Sequence, residues 1–274
     1  MTPETWAPAL RELFKRARTG LSAYQDHLVL VGGLAKFFYL NHPDFRAPEV
    51  TPRATVDLDI ALDQHARSRS EDIHTRLVQA GLIPYVVLDA QGHPLEQQYQ
   101  LVEEGSAIRA ETGLELLVAR QGFPRRPRRL SGIVPSELRH VDLLLHHPIP
   151  IDVGQTGIVR LPHPLAYVAQ KTLIRPYRDP RKAISDQADV FFTVWGFQPP
   201  WPGWQEQFQH FKAGRTFRRR LHDVRIILTD LYRDEYTTGS QAVAQLYLNL
   251  GGPSPDPALV SRIMRDFLAQ LPDL

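Results

Sequence analysis

Hydrophobic residues in the first 160 positions of the chain recur with two different periods. Apolar residues three or four positions apart are typical of amphipathic helices, and short apolar or alternating runs are typical of strands. The helical spacing covers residues 5–19, 34–40 and 68–80. The strand-like runs cover residues 28–31, 85–88 and 114–119. This mixture predicts a small mixed sheet flanked by helices.

After residue 161 the pattern changes to helical segments separated by proline and glycine. These segments cover residues 165–174, 182–194, 206–212, 216–232, 240–250 and 258–271. Because proline and glycine end helices, the segments are separate helices rather than one long helix. We therefore predict an α+β fold with two domains, a sheet-containing domain at residues 1–160 and an all-helical domain at residues 161–274.

Composition narrows the class of protein. A chain of 274 residues with 43% hydrophobic content is long enough to form two modest cores. The absence of cysteine excludes disulfide scaffolds, thiol catalysis and cysteine-based zinc sites. The N-terminus lacks a signal-peptide pattern, and no apolar run approaches the ~20 residues of a membrane span. We expect a cytoplasmic protein without a membrane partner.

Asp57 and Asp59 alternate with Val56, Leu58 and Ile60. Since side chains alternate along a strand, both carboxylates leave the same face. Two adjacent anions repel unless a cation or hydrogen-bond donors compensate them. Mg²⁺ or Mn²⁺ is the simplest compensation, and it is usually held by one or two carboxylates together with substrate phosphates.

Gly32 and Gly33 follow the apolar run at 28–31 and precede the predicted helix at 34–40. Glycine amides at a helix N-terminus bind phosphate because the free N–H groups and the helix dipole favour anions. Taken separately, a Gly-Gly turn is a common structural feature, and an Asp-x-Asp pair also fits a solvated edge strand or a calcium-like pair. Their combination in this order favours a metal-dependent nucleotide site.

These residues resemble the signature of the DNA polymerase β-like nucleotidyltransferase superfamily, which includes the AbiE-type abortive-infection toxins. The resemblance rests on Gly32-Gly33, on the Arg53-x-Thr55-x-Asp57-x-Asp59 segment and on a later acid with apolar neighbours. It implies three metal-binding carboxylates that transfer a nucleoside monophosphate and release pyrophosphate. The connection between the glycines and the aspartates is longer than in the shortest members of the superfamily, so a loop at residues 41–52 must lie beside the site.

Three acids with apolar neighbours fit the third position of the signature: Glu115, Asp142 and Asp152. We favour Asp142, because residues 139–145 have the pattern of a buried strand and precede a helix with a lysine, the order found in toxin-like relatives. Glu115 is the alternative, since residues 114–119 also predict a strand. Asp152 lies between prolines and a glycine, which favours a turn.

Lys171 lies in an otherwise apolar predicted helix, where its ammonium group needs water or an anion. The resemblance implies that it contacts the triphosphate, as Thr55 would. An ion pair with Asp186 or Asp189 is the alternative for Lys171. The segment around Asp186 is similar to one in toxin-like relatives in which the acid orders a cleft lysine, so the resemblance implies a role for Asp186 in nucleotide binding.

Two basic clusters could contact nucleic acid, although the net charge is only +2. One is the arginine cluster at residues 125–129, and the other lies at residues 212–225 with Phe211 and Phe217 interleaved. Either cluster could bind RNA phosphates. Ordinary solvated charge is the alternative for both. The eleven histidines show no zinc-site spacing, and no P-loop or Gly-x-Ser-x-Gly motif is present.

Two function hypotheses follow. The first is a nucleotidyltransferase that binds a nucleoside triphosphate such as ATP, uses Asp57, Asp59 and Asp142 as metal ligands, and modifies a hydroxyl of tRNA, another RNA or a protein. As a toxin of a toxin–antitoxin pair it would also bind a cognate antitoxin. The second is a catalytically inactive relative that binds RNA or a protein partner.

Overall fold

The structure is a computed structural model that describes residues 8–50, 55, 57–63, 65–66, 71–88, 92, 94–101, 112–120, 129–154, 157–251 and 253–271. The chain divides into two compact units. The first contains Met1–Ala35 and Ala54–Leu161, and the second contains Lys36–Arg53 and Pro162–Leu274. The first unit carries a mixed sheet with flanking helices and the second carries helices, which confirms the α+β fold class.

A six-stranded sheet forms the centre of the first unit. Its strands are β1 (Leu28–Leu30), β2 (Leu58–Leu62), β3 (Leu82–Leu88), β4 (Pro94–Leu101), β5 (Gly113–Ala119) and β6 (Ser136–Leu138). The order is β1-β2-β5-β4-β3, and β6 also pairs with β5. β2 and β6 run parallel to β5, and the other pairs are antiparallel. A separate antiparallel hairpin follows, formed by β7 (Ile149–Asp152) and β8 (Ile158–Leu161).

Helices α1 (Pro8–Gly20) and α3 (Ile73–Gln79) cover one face of this sheet. α1 buries Leu10, Leu13, Phe14 and Ala17, which share one side of the helix because they are three or four residues apart. The strand residues that face these helices are fully buried: Leu58, Leu82, Tyr99, Leu114 and Leu116. The central strands therefore have one closed, apolar face.

In the part of the chain that the structure describes, α4 (Val141–Leu144) covers part of the opposite face of the sheet. Val141 and Leu144 pack in a buried cluster with Ala61 of β2 and Leu117 of β5. The strand predicted at residues 139–145 is therefore wrong. His140 adopts a left-handed conformation with φ 63°, and a helical turn follows it. Short apolar runs fit a buried helix or a buried strand equally well, so periodicity could not separate the two.

The helices of the second unit are α5 (Pro164–Ile174), α6 (Pro180–Gly196), α7 (Pro202–Lys212), α8 (Arg215–Tyr232), α9 (Thr238–Asn249) and α10 (Pro257–Gln270). All six helices predicted after residue 161 are confirmed. Every residue of α5 is buried, as its apolar sequence requires. α6 and α10 begin with proline after Asp179 and Asp256, whose carboxylates accept backbone N–H groups of the first turn. In the described part of the chain, no helix is long and apolar enough to cross a membrane.

Candidate active site

The first part of the candidate site is the glycine turn between β1 and α2 (Gly32–Tyr39). Gly32 has φ 65°, which glycine adopts without strain. The N–H of Val31 donates to the carbonyl of Asp59 over 2.9 Å, so the turn is joined to β2. A Cβ atom on Gly32 would lie 1.8 Å from Oδ2 of Asp59. Gly32 therefore leaves space that the Asp59 carboxylate occupies.

Gly33 makes a similar close approach to Thr55. A Cβ atom built on Gly33 would lie 3.1 Å from Cβ and 3.2 Å from Oγ1 of Thr55. A side chain at position 33 would require Thr55 to shift by a few tenths of an ångström. The structure thus brings together four residues that the sequence analysis singled out: Gly32, Gly33, Thr55 and Asp59. Arg53 lies outside the described residues.

Asp57 immediately precedes β2 and is exposed, whereas Leu58 is fully buried under α1 and α3. Alternation puts Asp57 and Asp59 on the open face of the sheet. Further along the same face, Ala61 is covered by α4. The acids therefore lie at the N-terminal end of β2, before the part of this face that α4 covers.

The register of β2 and β5 pairs Asp59 with Glu115. Partners in adjacent strands share a face, and the strands are about 4.8 Å apart. The flanking pairs Leu58–Leu114 and Ile60–Leu116 are buried on the other side, while both acids are partly exposed. Glu115 is thus the acid on the strand next to Asp59.

Asp142 and Asp152 do not lie on strands of the six-stranded sheet. Asp142 is on α4, not on a strand, between the buried residues Val141 and Leu143. Asp152 ends β7, and its Oδ1 accepts the N–H of Gly154 over 3.0 Å, as in a turn. We favoured Asp142 from the strand pattern of residues 139–145, whereas the register that pairs Asp59 with Glu115 cannot be read from either strand alone.

The described residues contain no group of three or more His, Cys, Asp or Glu side chains arranged to hold a metal ion. Mg²⁺, however, is usually held by one or two carboxylates, with waters and substrate phosphates completing the coordination. Asp59 and Glu115 are neighbouring hard-oxygen donors on one face, and Asp57 lies two residues from Asp59. The chemistry of this donor set fits a divalent cation.

Lys171 and Asp186 lie in the helical unit, in a buried network of charged side chains. Nζ of Lys171 is 2.5 Å from Oδ1 of Asp186 and 3.1 Å from Oδ2 of Asp189. Nζ of Lys36 is 2.5 Å from Oδ1 of Asp189. Burial of Lys171 lowers its pKa, but the two carboxylates outweigh burial and raise the pKa overall. The ion-pair alternative for Lys171 is therefore the arrangement observed.

Lys36 is the member of this network that the sequence did not reveal. Lys36 is 1% exposed and Asp189 is 2% exposed. Lys36 stands among apolar residues of α2, which was a signal that it needed a buried partner. Its partner lies 153 residues away, so no local spacing could identify it.

The basic cluster at residues 212–225 is described, whereas residues 125–128 of the other cluster lie outside the described ranges. The exposed basic side chains at the start of α8 and just before it are Lys212, Arg215, Arg218 and Arg219. Phe211 is buried and packs against Phe217, with the two ring centroids 5.3 Å apart, so Phe211 has a core role. The exposed charges form a basic surface on the helical unit.

A family model described as Nucleotidyltransferase matches residues 15–193, more than half of the chain. No curated protein matches the sequence. The matched segment contains the glycine turn, the β2–β5 acid pair and α5, and it ends within α6. With this match and the site geometry together, the chain belongs to the nucleotidyltransferase family.

Proposed function

We propose that this protein transfers a nucleoside monophosphate from a nucleoside triphosphate to a hydroxyl acceptor, with Asp57, Asp59 and Glu115 as ligands of Mg²⁺ or Mn²⁺. The observation that carries the proposal is the Asp59–Glu115 pair beside the glycine turn. A divalent ion bound to these carboxylates would offset negative charge on the α-phosphate and make the acceptor hydroxyl more acidic.

The glycine turn would hold the triphosphate. α2 begins at Gly32, and the positive end of its helix dipole favours phosphate oxygens. Oγ1 of Thr55 lies beside Gly33 and can donate to the same phosphate. Lys171 and Asp186 are instead assigned to the stability of the helical unit, because each is buried against the other.

Glu115 would receive the proton of the attacking hydroxyl. It lies on the side of Asp59 that faces away from the glycine turn, because β5 and β1 flank β2 on opposite sides. A carboxylate within hydrogen-bond reach of the acceptor is the group that a general base requires. Asp142, on α4, is the alternative third carboxylate. Separate mutation of Glu115 and Asp142 distinguishes the two.

The test measures nucleotidyl transfer with each labelled nucleoside triphosphate, Mg²⁺, and either total RNA or total protein as acceptor. Asp59→Asn and Glu115→Gln are expected to lower transfer at least about 100-fold, since each removes a carboxylate with little change in volume. Asp142→Asn is the matched control and is expected to keep most of the activity. Loss of activity in Asp142→Asn with full activity in Glu115→Gln would exchange the two roles, and full activity in Asp59→Asn would refute the proposal.

The resemblance to AbiE-type toxins supports a more specific role, that of a toxin with a cognate antitoxin. Induced expression of the wild-type chain is then expected to stop bacterial growth, and expression of Asp59→Asn is expected not to. Growth arrest by both proteins would separate toxicity from nucleotidyl transfer.

A second candidate function is RNA binding without catalysis. The exposed lysine and arginines of the basic surface on α8 favour it. Binding through phosphate contacts weakens steeply as salt rises. A protein that retains RNA in a salt-dependent way but labels neither RNA nor protein would fit this function and exclude the first.

A further inference from the structure

The open face of the sheet continues beyond Glu115 across two more strands. Gln98 of β4 pairs with Glu115 of β5, and Tyr85 of β3 pairs with Gln98. Gln100 pairs with Gly113 in the same register. Because paired residues share a face, Tyr85, Gln98, Gln100 and Gly113 lie on the side of the sheet that carries the acids. We call these four residues the polar row.

The polar row is uncharged. The strands β3, β4 and β5 contain no lysine or arginine over their described lengths, and the acidic residues among them are Glu96 and Glu115. Gln98 donates to Oε1 of Glu96 over 2.7 Å, and Ser136 donates to Oε2 of Glu96 over 2.7 Å. Glu96 is therefore engaged in fixing Gln98. Phosphate groups would meet no cation on these strands.

Because Gly113 has no side chain, a small space remains in the polar row. A Cβ atom built on Gly113 would have the hydroxyl of Tyr85 at 3.9 Å and Oε1 of Gln98 at 4.0 Å. Oε1 of Gln100, opposite Gly113, is buried and accepts no hydrogen bond from any described residue. An amide oxygen without a donor is costly when buried, and a bound ligand would supply the donor.

The in-line geometry of the proposed reaction indicates which substrate binds to the polar row. In an in-line displacement, the attacking and leaving oxygens lie on opposite sides of the α-phosphorus. The strand order runs from the glycine turn after β1, through the acids of β2 and β5, to β4 and β3. If the glycine turn holds the departing pyrophosphate, the acceptor approaches from the side of β4 and β3.

We propose that the polar row binds the terminal nucleoside of an RNA acceptor, an inference that rests on the function proposed above. The hydroxyl oxygen of that nucleoside forms a bond to the α-phosphorus, the bond to the bridging oxygen breaks, pyrophosphate leaves, and Glu115 takes the hydroxyl proton. Amide and phenol groups match the uncharged edges of bases and the hydroxyls of ribose.

The first measurement is steady-state transfer to an RNA oligonucleotide, with the KM for RNA and the KM for the nucleoside triphosphate determined separately. Gln98→Leu, Gln100→Leu and Tyr85→Phe each remove hydrogen-bonding capacity and are expected to raise the KM for RNA about 5- to 10-fold, which corresponds to the loss of about one hydrogen bond. The KM for the triphosphate should not change. Gln245→Leu, at an exposed position of α9, is the matched control.

The second measurement does not depend on catalysis. A fluorescein-labelled single-stranded RNA hexamer is titrated into Asp59→Asn protein and into the same protein with Gln98→Leu, at one fixed salt concentration. Weaker binding in the double variant supports the polar row even if the wild-type protein transfers no nucleotide. Labelled RNA with an unchanged KM in all three row variants would overturn the inference and leave the proposed function intact. Transfer to protein but not to RNA would overturn the choice of acceptor.

Discussion

The protein contains two closely spaced aspartate pairs with different environments. Asp57 and Asp59 lie at the open end of β2, beside the glycine turn, and are exposed or partly exposed. Asp186 and Asp189 lie on one side of α6 and are buried against Lys36 and Lys171. Since the residue type is the same, burial and partners decide the role. Carboxylates neutralised by buried lysines stabilise the packing around them, whereas carboxylates that reach the surface are accessible to a dissolved ion or a substrate.

Removing a carboxylate from the buried network tests whether that network has a structural role. Asp189→Ala would leave Lys36 and Lys171 without a shared partner, and loss of one member of a buried ion pair costs about 3–5 kcal/mol. We expect the free energy of unfolding in urea to fall by about that amount. Asp223→Ala, at an exposed site on α8, is the control and should change stability by less than about 0.5 kcal/mol. Equal stability of the two variants would show that the network is not structural.

The second prediction tests whether the glycine turn holds the Asp59 carboxylate in place. Gly32→Ala forces a side chain into a left-handed conformation, which costs about 1–2 kcal/mol, and drives its Cβ into the Asp59 carboxylate. Gly251 has a similar φ of 72° but no atom within 4 Å of an added Cβ. We expect both Gly32→Ala and Gly251→Ala to lose the stability that the backbone strain costs, Gly32→Ala to lose more because of the clash, and only Gly32→Ala to lose nucleotidyl transfer. Retained transfer in both would show that Asp59 does not need its position over Gly32.

The smallest effect concerns pH. Burial raises the pKa of Tyr247, and nearby carboxylates raise the pKa of Lys171 despite its burial. Both groups hold their protons more tightly in the folded state than in the unfolded state. Their contribution to stability is complete below the ordinary values of 10.0 and 10.5 and is lost as pH rises above them. The free energy of unfolding should fall by about 1 kcal/mol per pH unit for each group.

Urea unfolding at a series of pH values between about 8 and 11.5 measures this slope. Tyr247→Phe is expected to make it shallower, whereas Tyr236→Phe, at an exposed position, is expected to leave it unchanged. A slope that is identical in wild type and Tyr247→Phe would contradict the assignment.

Much of the fold follows from local pattern. The helices after residue 161 have apolar spacing, and four of the six begin with proline; both features act over one or two turns of chain. The strand with Asp59 and the turn at Gly32 are also local, because alternation and glycine content depend on adjacent residues alone. The candidate nucleotide contacts could therefore be named from the sequence.

By itself, then, the sequence determined the period of each segment, and with it the shared face of Asp57 and Asp59 and the helical second half. Only the tertiary structure decided that Glu115 is the neighbour of Asp59, that Asp142 is on a helical turn, and that Lys171 shares Asp189 with Lys36. The physical reason is that strand register and buried ion pairs join residues far apart in the chain. Their free energy depends on packing and desolvation at the contact, which no local spacing of residues specifies.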